Sequence, residues 1–133
     1  MAKGAPRTQP CDLTQARARL RQAEAFVEVA DDDVATPGVA AALAVLAGIA
    51  ASDAACCAKL KARSRGQNHL DAVGVLATVE PHGNEMSKNL SRLLQRKDDA
   101  YYGLSVVTAG DAMKMVGWAK RIVDRARQVI ESV

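Results

Sequence analysis

Apolar residues recur along this chain at steps of three and four positions, which is the spacing of one face of an α-helix. The pattern predicts a first amphipathic helix from about residue 12 to residue 30, with Asp12 as its N-cap. It predicts a last helix that begins at Thr108. The apolar stripe of the last helix consists of Ala112, Val116, Ala119, Val123, Ala126, Ile130 and Val133.

A long apolar segment in the first half of the chain predicts a second helix of about 25 residues. Thr36 is suited to be its N-cap, and Pro37 stands where proline is favoured, at the first helical position. We expect the helix to reach about Ala62 and Gly66 to supply the stop.

Two shorter helices are predicted at residues 69–79, capped by Asn68, and at residues 84–100, closed by Gly103. Short connections between amphipathic helices are typical of up-and-down bundles, and the sequence contains no alternating run of strand length. The fold class that we predict is all-α, an up-and-down bundle of four to five helices. We expect this domain to occupy residues 12–133 and residues 1–11 to form a flexible N-terminal arm.

Composition supports the helical prediction, because 26 residues are alanine and only four are aromatic. The uniformly apolar run at residues 39–51 is too short to span a bilayer, so we expect a buried helix and no membrane. The net charge of +3 is compatible with an anionic partner without indicating one. The first residues lack the apolar core of a signal peptide, which favours a cytoplasmic location.

Three cysteines and two histidines offer little covalent or metal chemistry. Three cysteines, of which Cys56 and Cys57 are adjacent, do not make a disulfide framework. No CxxC pair is present, so we expect no metal site, and we predict no cofactor. Cys56 and Cys57 are interpreted as small core residues.

Asp53 interrupts the most apolar helix, where an unpaired carboxylate would be costly. It lies either at a solvated edge, in a hydrogen bond that fixes the helix, or in a cleft, where it could pair with an arginine.

Cations alternate in the segment KLKARSR, residues 59–65. Arg63 and Arg65 are suited either to capping a helix C-terminus or to holding phosphate oxygens. His69 follows and is interpreted as a surface or packing residue unless this loop borders a binding cleft.

The segment RKDDAYYG, residues 96–103, combines cations, carboxylates and two tyrosines before a glycine. Tyr101 and Tyr102 could simply pack, with their hydroxyls in water. Together with Arg96 they could instead contact a phosphate or stack on a base.

Two stretches of the sequence resemble the HEPN family (higher eukaryotes and prokaryotes nucleotide-binding), and a set of actinobacterial HEPN-like proteins in particular. ASDAACCAKLKARSRGQNHLDAV, residues 51–73, is similar to the second helix of that family and the histidine that opens the next one. RKDDAYYG resembles the family's arginine–histidine motif. The resemblance implies a helical bundle that is commonly a homodimer, in toxin–antitoxin, defence or RNA-processing systems.

The resemblance also implies roles for two residues. In active HEPN ribonucleases an arginine and a histidine act on the scissile phosphate without metal. Arg96 stands at the position of the arginine, and Tyr101 stands at that of the histidine. A phenol titrates near pH 10, so Tyr101 would be a poor general base at neutral pH.

We therefore expect a HEPN-like domain that binds RNA or a nucleotide through Arg96 and Tyr101, supported by Arg63, Arg65 and His69. One alternative is a metal-independent endoribonuclease toxin with a nucleotidyltransferase-type antitoxin as partner. The other is a helical protein-interaction or assembly module with no nucleic-acid role.

Overall fold

The computed structural model of this protein describes residues 7–65, 68–103 and 106–133, with the backbone alone for His69 and Asp99. Helices account for most of these residues, which confirms the all-α class. The helices are α1 (Leu13–Ala30), α2 (Pro37–Leu60), α3 (His69–Ala77), α4 (Gly83–Gln95), α5 (Lys97–Tyr102) and α6 (Ala109–Glu131). Two antiparallel strands are also present, β1 (Thr8–Pro10) and β2 (Ala62–Ser64).

Helix α2 lies at the centre of the protein and contacts the other five helices and β2. Ten of its 24 residues are alanines, most of them fully buried, and small side chains let neighbouring helices approach closely. At Gly48 the approach is closest, since a Cβ atom there would lie 2.6 Å from Leu93 Cδ1 of α4 and 3.5 Å from Ile122 Cδ1 of α6.

The predicted helix starts are confirmed where a polar side chain caps the helix. Asp12 and Gln15 form a reciprocal capping box at the start of α1. Asn68 Oδ1 accepts the backbone N–H of Leu70, and Thr108 Oγ1 accepts that of Asp111. These bonds satisfy N–H groups that the helix itself leaves unpaired.

Two helix ends differ from the sequence-based prediction. Helix α2 ends at Leu60, because Lys61 adopts a left-handed conformation with φ of 58° and the chain then continues as β2. Gly66, the expected stop, lies outside the described residues. The expected helix at residues 84–100 is divided at Arg96 into α4 and α5, so the described residues form six helices and not four to five.

Residues 8–11 are attached to the bundle, whereas a flexible arm was expected for residues 1–11. Gln9 pairs with Arg63 in the two-stranded sheet. Cys11 forms a disulfide with Cys57 of α2 across a Cα–Cα distance of 5.3 Å, so the interpretation of Cys57 as a simple core residue is wrong. Sheet pairing brings together two cysteines that are 46 residues apart, a proximity that their spacing does not reveal. Cys56 is buried and has a free thiol, as expected.

Among the described helices, Pro37–Leu60 is long and apolar enough to cross a membrane by length and composition alone. Most of its apolar window, 72%, is buried inside the protein. Core helices pass the same test, so this feature is weak evidence for a membrane span.

Candidate functional site

A cleft of about 520 Å³ opens where β2 and the loop after it meet helices α1 to α5. Its volume lies in the range of small-molecule binding sites. Its lining combines polar residues, four of which are cations, with apolar residues. The lining residues are Arg19, Ile49, Ser52, Asp53, Arg63, Ser64, Arg65, Asn68, Ala72, Leu90, Leu94 and Lys97.

Asp53 is a buried carboxylate with two arginine partners. Arg19 Nε and Nη2 each lie 3.1 Å from Asp53 Oδ2, and Arg63 Nη1 lies 3.6 Å from the same oxygen. Burial raises the pKa of Asp53 above its ordinary range, and the two guanidinium groups oppose this effect. Of the three alternatives for Asp53, the structure therefore supports the anchor in a cleft that pairs with an arginine.

The position of Arg63 is fixed from two sides. Its Nη2 donates a hydrogen bond of 3.0 Å to Gln9 Oε1 of β1, while its Nη1 faces Asp53. Because β2 is extended, Arg63 and Arg65 do not lie on a helix end. The dipole-capping interpretation therefore applies to neither of them.

Groups of the neighbouring backbone segment complete the polar lining of the cleft. Arg65 is exposed, and its backbone N–H donates to the carbonyl of Arg7 at 2.9 Å. Ser64 Oγ is buried and has no hydrogen-bond partner among the described atoms. A buried hydroxyl without a partner is unusual in a folded protein.

Segment 96–103 is divided between the cleft and the surface beside it. Lys97 lines the cleft, and its Nζ lies 5.5 Å from the centre of the Tyr101 ring. Arg96 instead pairs with Asp111 of α6 at 3.5 Å. Tyr102 is 67% exposed and meets Tyr101 edge to face.

Tyr101 is half-buried against the hydrophobic core, and it is not among the described residues that line the cleft. Burial, with a smaller contribution from Tyr102, raises the pKa of Tyr101 above the ordinary range of a phenol. The side chain of His69 lies outside the described part of the structure. In the described ranges, no group of three or more His, Cys, Asp and Glu residues could hold a metal ion.

The sequence analysis identified Asp53, Arg63 and Arg65, and the structure brings these three residues together. It missed Arg19, which is one of several charged residues on α1 with nothing in its spacing to distinguish it. It also missed the lining roles of Ser64 and Lys97. The expected pair Arg96 and Tyr101 does not line the cleft, although Lys97 connects the cleft with Tyr101.

Comparison of the chain with protein-family models, with curated proteins and with solved structures finds no match.

Proposed function

We propose that this protein is a HEPN-like helical domain that binds the phosphates of RNA or a nucleotide in the cleft around Asp53. The observation that carries the proposal is the grouping of four cations, Arg19, Arg63, Arg65 and Lys97, around a cleft whose described lining includes one acidic residue. A cleft with this excess of positive charge attracts phosphate groups, because the low-dielectric walls of a cleft strengthen the electric field inside it.

The cationic side chains of the cleft differ in their hydrogen-bond partners. Arg19 directs Nε and Nη2 toward Asp53 and Nη1 toward Gln22, so its role is to hold the carboxylate. Arg65 has no such partner on its side chain among the described atoms, and its exposed guanidinium is the donor that we assign to phosphate oxygens. Guanidinium groups suit this role because their fork can bind two oxygens.

The lining of the cleft also includes apolar residues that could accommodate a base. These are Ile49 of α2, Ala72 of α3, and Leu90 and Leu94 of α4. Small-ligand sites commonly combine such an apolar surface with a few polar groups that fix orientation.

The two stretches that resemble the HEPN family supply residues to the same cleft. Asp53, Arg63, Arg65 and Ala72 come from residues 51–73, and Lys97 comes from residues 96–103. This convergence supports a shared functional surface, and it is the reason to retain the HEPN-like proposal.

Binding without efficient cleavage fits these contacts better than a ribonuclease. Arg96 is engaged with Asp111, and the raised pKa of Tyr101 makes this phenol still less able to accept a proton at neutral pH.

The decisive experiment measures binding of a fluorescently labelled single-stranded RNA by anisotropy over a range of salt concentrations. We expect affinity to fall steeply with salt, with a slope of about −0.7 per phosphate contacted. The double variant Arg63→Gln/Arg65→Gln should bind roughly tenfold or more weakly, since it loses the Arg65 contact to phosphate and a second positive charge at the cleft. Competition with unlabelled mononucleotide shows whether a single nucleotide fills the cleft.

Arg17→Gln/Arg21→Gln is the matched control, because both residues are exposed on α1 and neither lines the cleft. This control removes the same amount of positive charge as the cleft variant, and it should keep most of the affinity for RNA. Equal losses of RNA affinity in the two double variants would mean that the protein attracts RNA through its overall positive charge and not through the cleft. If wild-type protein binds neither RNA nor mononucleotide at low salt, the assembly-module alternative becomes the better hypothesis.

A further inference from the structure

The disulfide between Cys11 and Cys57 is connected to the cleft through a short series of contacts. Cys11 follows β1 directly, and its backbone N–H donates to the carbonyl of Lys61 at 3.0 Å. Within β1, Gln9 accepts the hydrogen bond of Arg63, the residue that also faces Asp53. The covalent bond therefore fixes the strand that positions one of the cationic groups of the cleft.

Noncovalent interactions hold β1 only weakly. All three of its residues are exposed, so the strand buries no apolar side chain. Its sheet has two strands of three residues, and an isolated two-stranded sheet is marginally stable in water. The disulfide is consequently the main attachment of β1 to the bundle.

We propose that the Cys11–Cys57 disulfide controls the cleft according to redox state. With the bond closed, β1 holds Arg63 at the cleft; with the bond open, β1 separates from β2 and the cleft binds its phosphate ligand more weakly. This inference rests on the proposed function for its ligand, whereas the release of β1 is independent of any ligand. Disulfides are rare in cytosolic proteins and, where present, are usually transient and catalytic or redox-sensing, so a regulatory role is the one that suits the cytoplasmic location expected from the sequence.

The chemical step is thiol–disulfide exchange with a dithiol reductant. A thiolate of the reductant attacks the sulfur of Cys11, which is partly exposed, and buried Cys57 leaves as the thiolate and takes up a proton. The second thiol of the reductant then displaces Cys11 from the mixed disulfide. The reductant gives up two electrons and two protons and becomes a disulfide, while Cys11 and Cys57 become thiols.

Cys56 does not compete in this exchange. Burial, together with the charge of Asp53, raises the pKa of its thiol to about 12, so it stays protonated at neutral pH. A protonated thiol is not the nucleophile in disulfide exchange. The bond therefore has two states, open and closed, without reshuffling onto the neighbouring cysteine.

The test compares the full-length protein with and without dithiothreitol, after counting free thiols in denaturant to establish each state. We expect RNA affinity to fall by roughly fivefold or more on reduction, the effect of no longer holding one positive charge at the cleft. Hydrogen exchange should show loss of protection at the amides of Cys11 and Arg65, which donate across the sheet. Helix content by circular dichroism should stay unchanged.

Two variants distinguish the effect of opening the Cys11–Cys57 disulfide from other effects of dithiothreitol. Cys11→Ser should bind weakly with and without dithiothreitol, whereas Cys56→Ala should respond as the wild type does. Three free thiols in protein purified without reductant, or unchanged exchange at Arg65 on reduction, would overturn the inference. Equal RNA affinity in both states would overturn it and leave the proposed function standing. Absence of RNA and nucleotide binding in the oxidised protein would instead overturn the proposed function, and hydrogen exchange would still test the release of β1.

Discussion

Arg19 of α1 and Asp53 of α2 are joined by a hydrogen bond of 3.1 Å from Arg19 Nε to Asp53 Oδ2, across 34 residues of sequence. The carboxylate lies at the wall of the cleft with only 11% of its side chain exposed. The bond therefore connects the packing of the first two helices with the electrostatics of the candidate site.

Replacing Arg19 with glutamine should destabilise the protein. Asp53 would keep only the longer ion pair with Arg63, and a buried charge that loses a partner is costly. We expect a loss of about 1–3 kcal/mol in the free energy of unfolding, measured with urea. Arg17→Gln, on the exposed face of the same helix, should change it by less than about 0.5 kcal/mol. Equal effects would mean that the ion pair contributes nothing specific.

The variant Asp53→Asn tests how the buried carboxylate affects stability at different pH values. Burial leaves the pKa of Asp53 raised despite Arg19 and Arg63, so the folded protein holds this proton more tightly than the unfolded chain. The resulting stabilisation is complete below the ordinary aspartate pKa of about 4 and is lost as pH rises through the raised pKa. The variant should lack this loss, so its stability relative to wild type should improve as pH rises above about 4 and through the raised pKa of Asp53. If the free energies of unfolding of the variant and the wild type changed with pH in parallel, the raised pKa of Asp53 would be contradicted.

The same variant should bind RNA more tightly, because it removes the one negative charge among the described residues that line the cleft. A charge a few ångströms from a phosphate, partly screened, corresponds to roughly a threefold to tenfold change in affinity. Anisotropy at a fixed salt concentration measures it, and weaker binding would indicate that Asp53 itself contacts the ligand favourably.

Gly83 should be intolerant of a side chain. A Cβ atom there would lie 2.6 Å from the backbone carbonyl oxygen of Leu76 and 3.1 Å from that of Ala77, so α3 and α4 would have to separate. We expect Gly83→Ala to cost about 1–3 kcal/mol in urea unfolding. Gly117→Ala is the control: nothing lies within 4 Å of its Cβ, and an alanine inside α6 should stabilise by about 0.5–1 kcal/mol.

Cys56 should resist alkylation in the native protein. With a pKa of about 12 and a buried side chain, its thiol is almost entirely protonated at neutral pH. Mass spectrometry after iodoacetamide treatment should show no modification of the folded, oxidised chain and a single modification once denaturant is added. Rapid modification of the folded protein would show that this part of α2 opens readily.

The protein should leave RNA intact in the presence of EDTA at neutral pH. The phenol of Tyr101 is a poor proton acceptor, and Arg96 is paired with Asp111. Gel analysis for fragments with a cyclic phosphate terminus checks this expectation. Cleavage that disappears in Arg96→Ala would restore the ribonuclease alternative.

The sequence by itself determined the helical class and most helix starts. Periodic apolar positions and local capping groups such as Asp12 and Asn68 act within a few residues of each other, so their effect can be predicted without knowing the tertiary structure. Asp53 was recognisable for the same reason, since a carboxylate in an apolar helix requires a partner wherever the helix lies.

The tertiary structure alone decided which residues meet at the cleft. Arg19 reaches Asp53, and Cys11 reaches Cys57, because α1 and β1 pack beside the end of α2. The break at Arg96 decided that Lys97 lines the cleft while Arg96 pairs with Asp111. These relationships depend on contacts between residues far apart in the chain, and the spacing of residue types along a single sequence carries no measure of such distances.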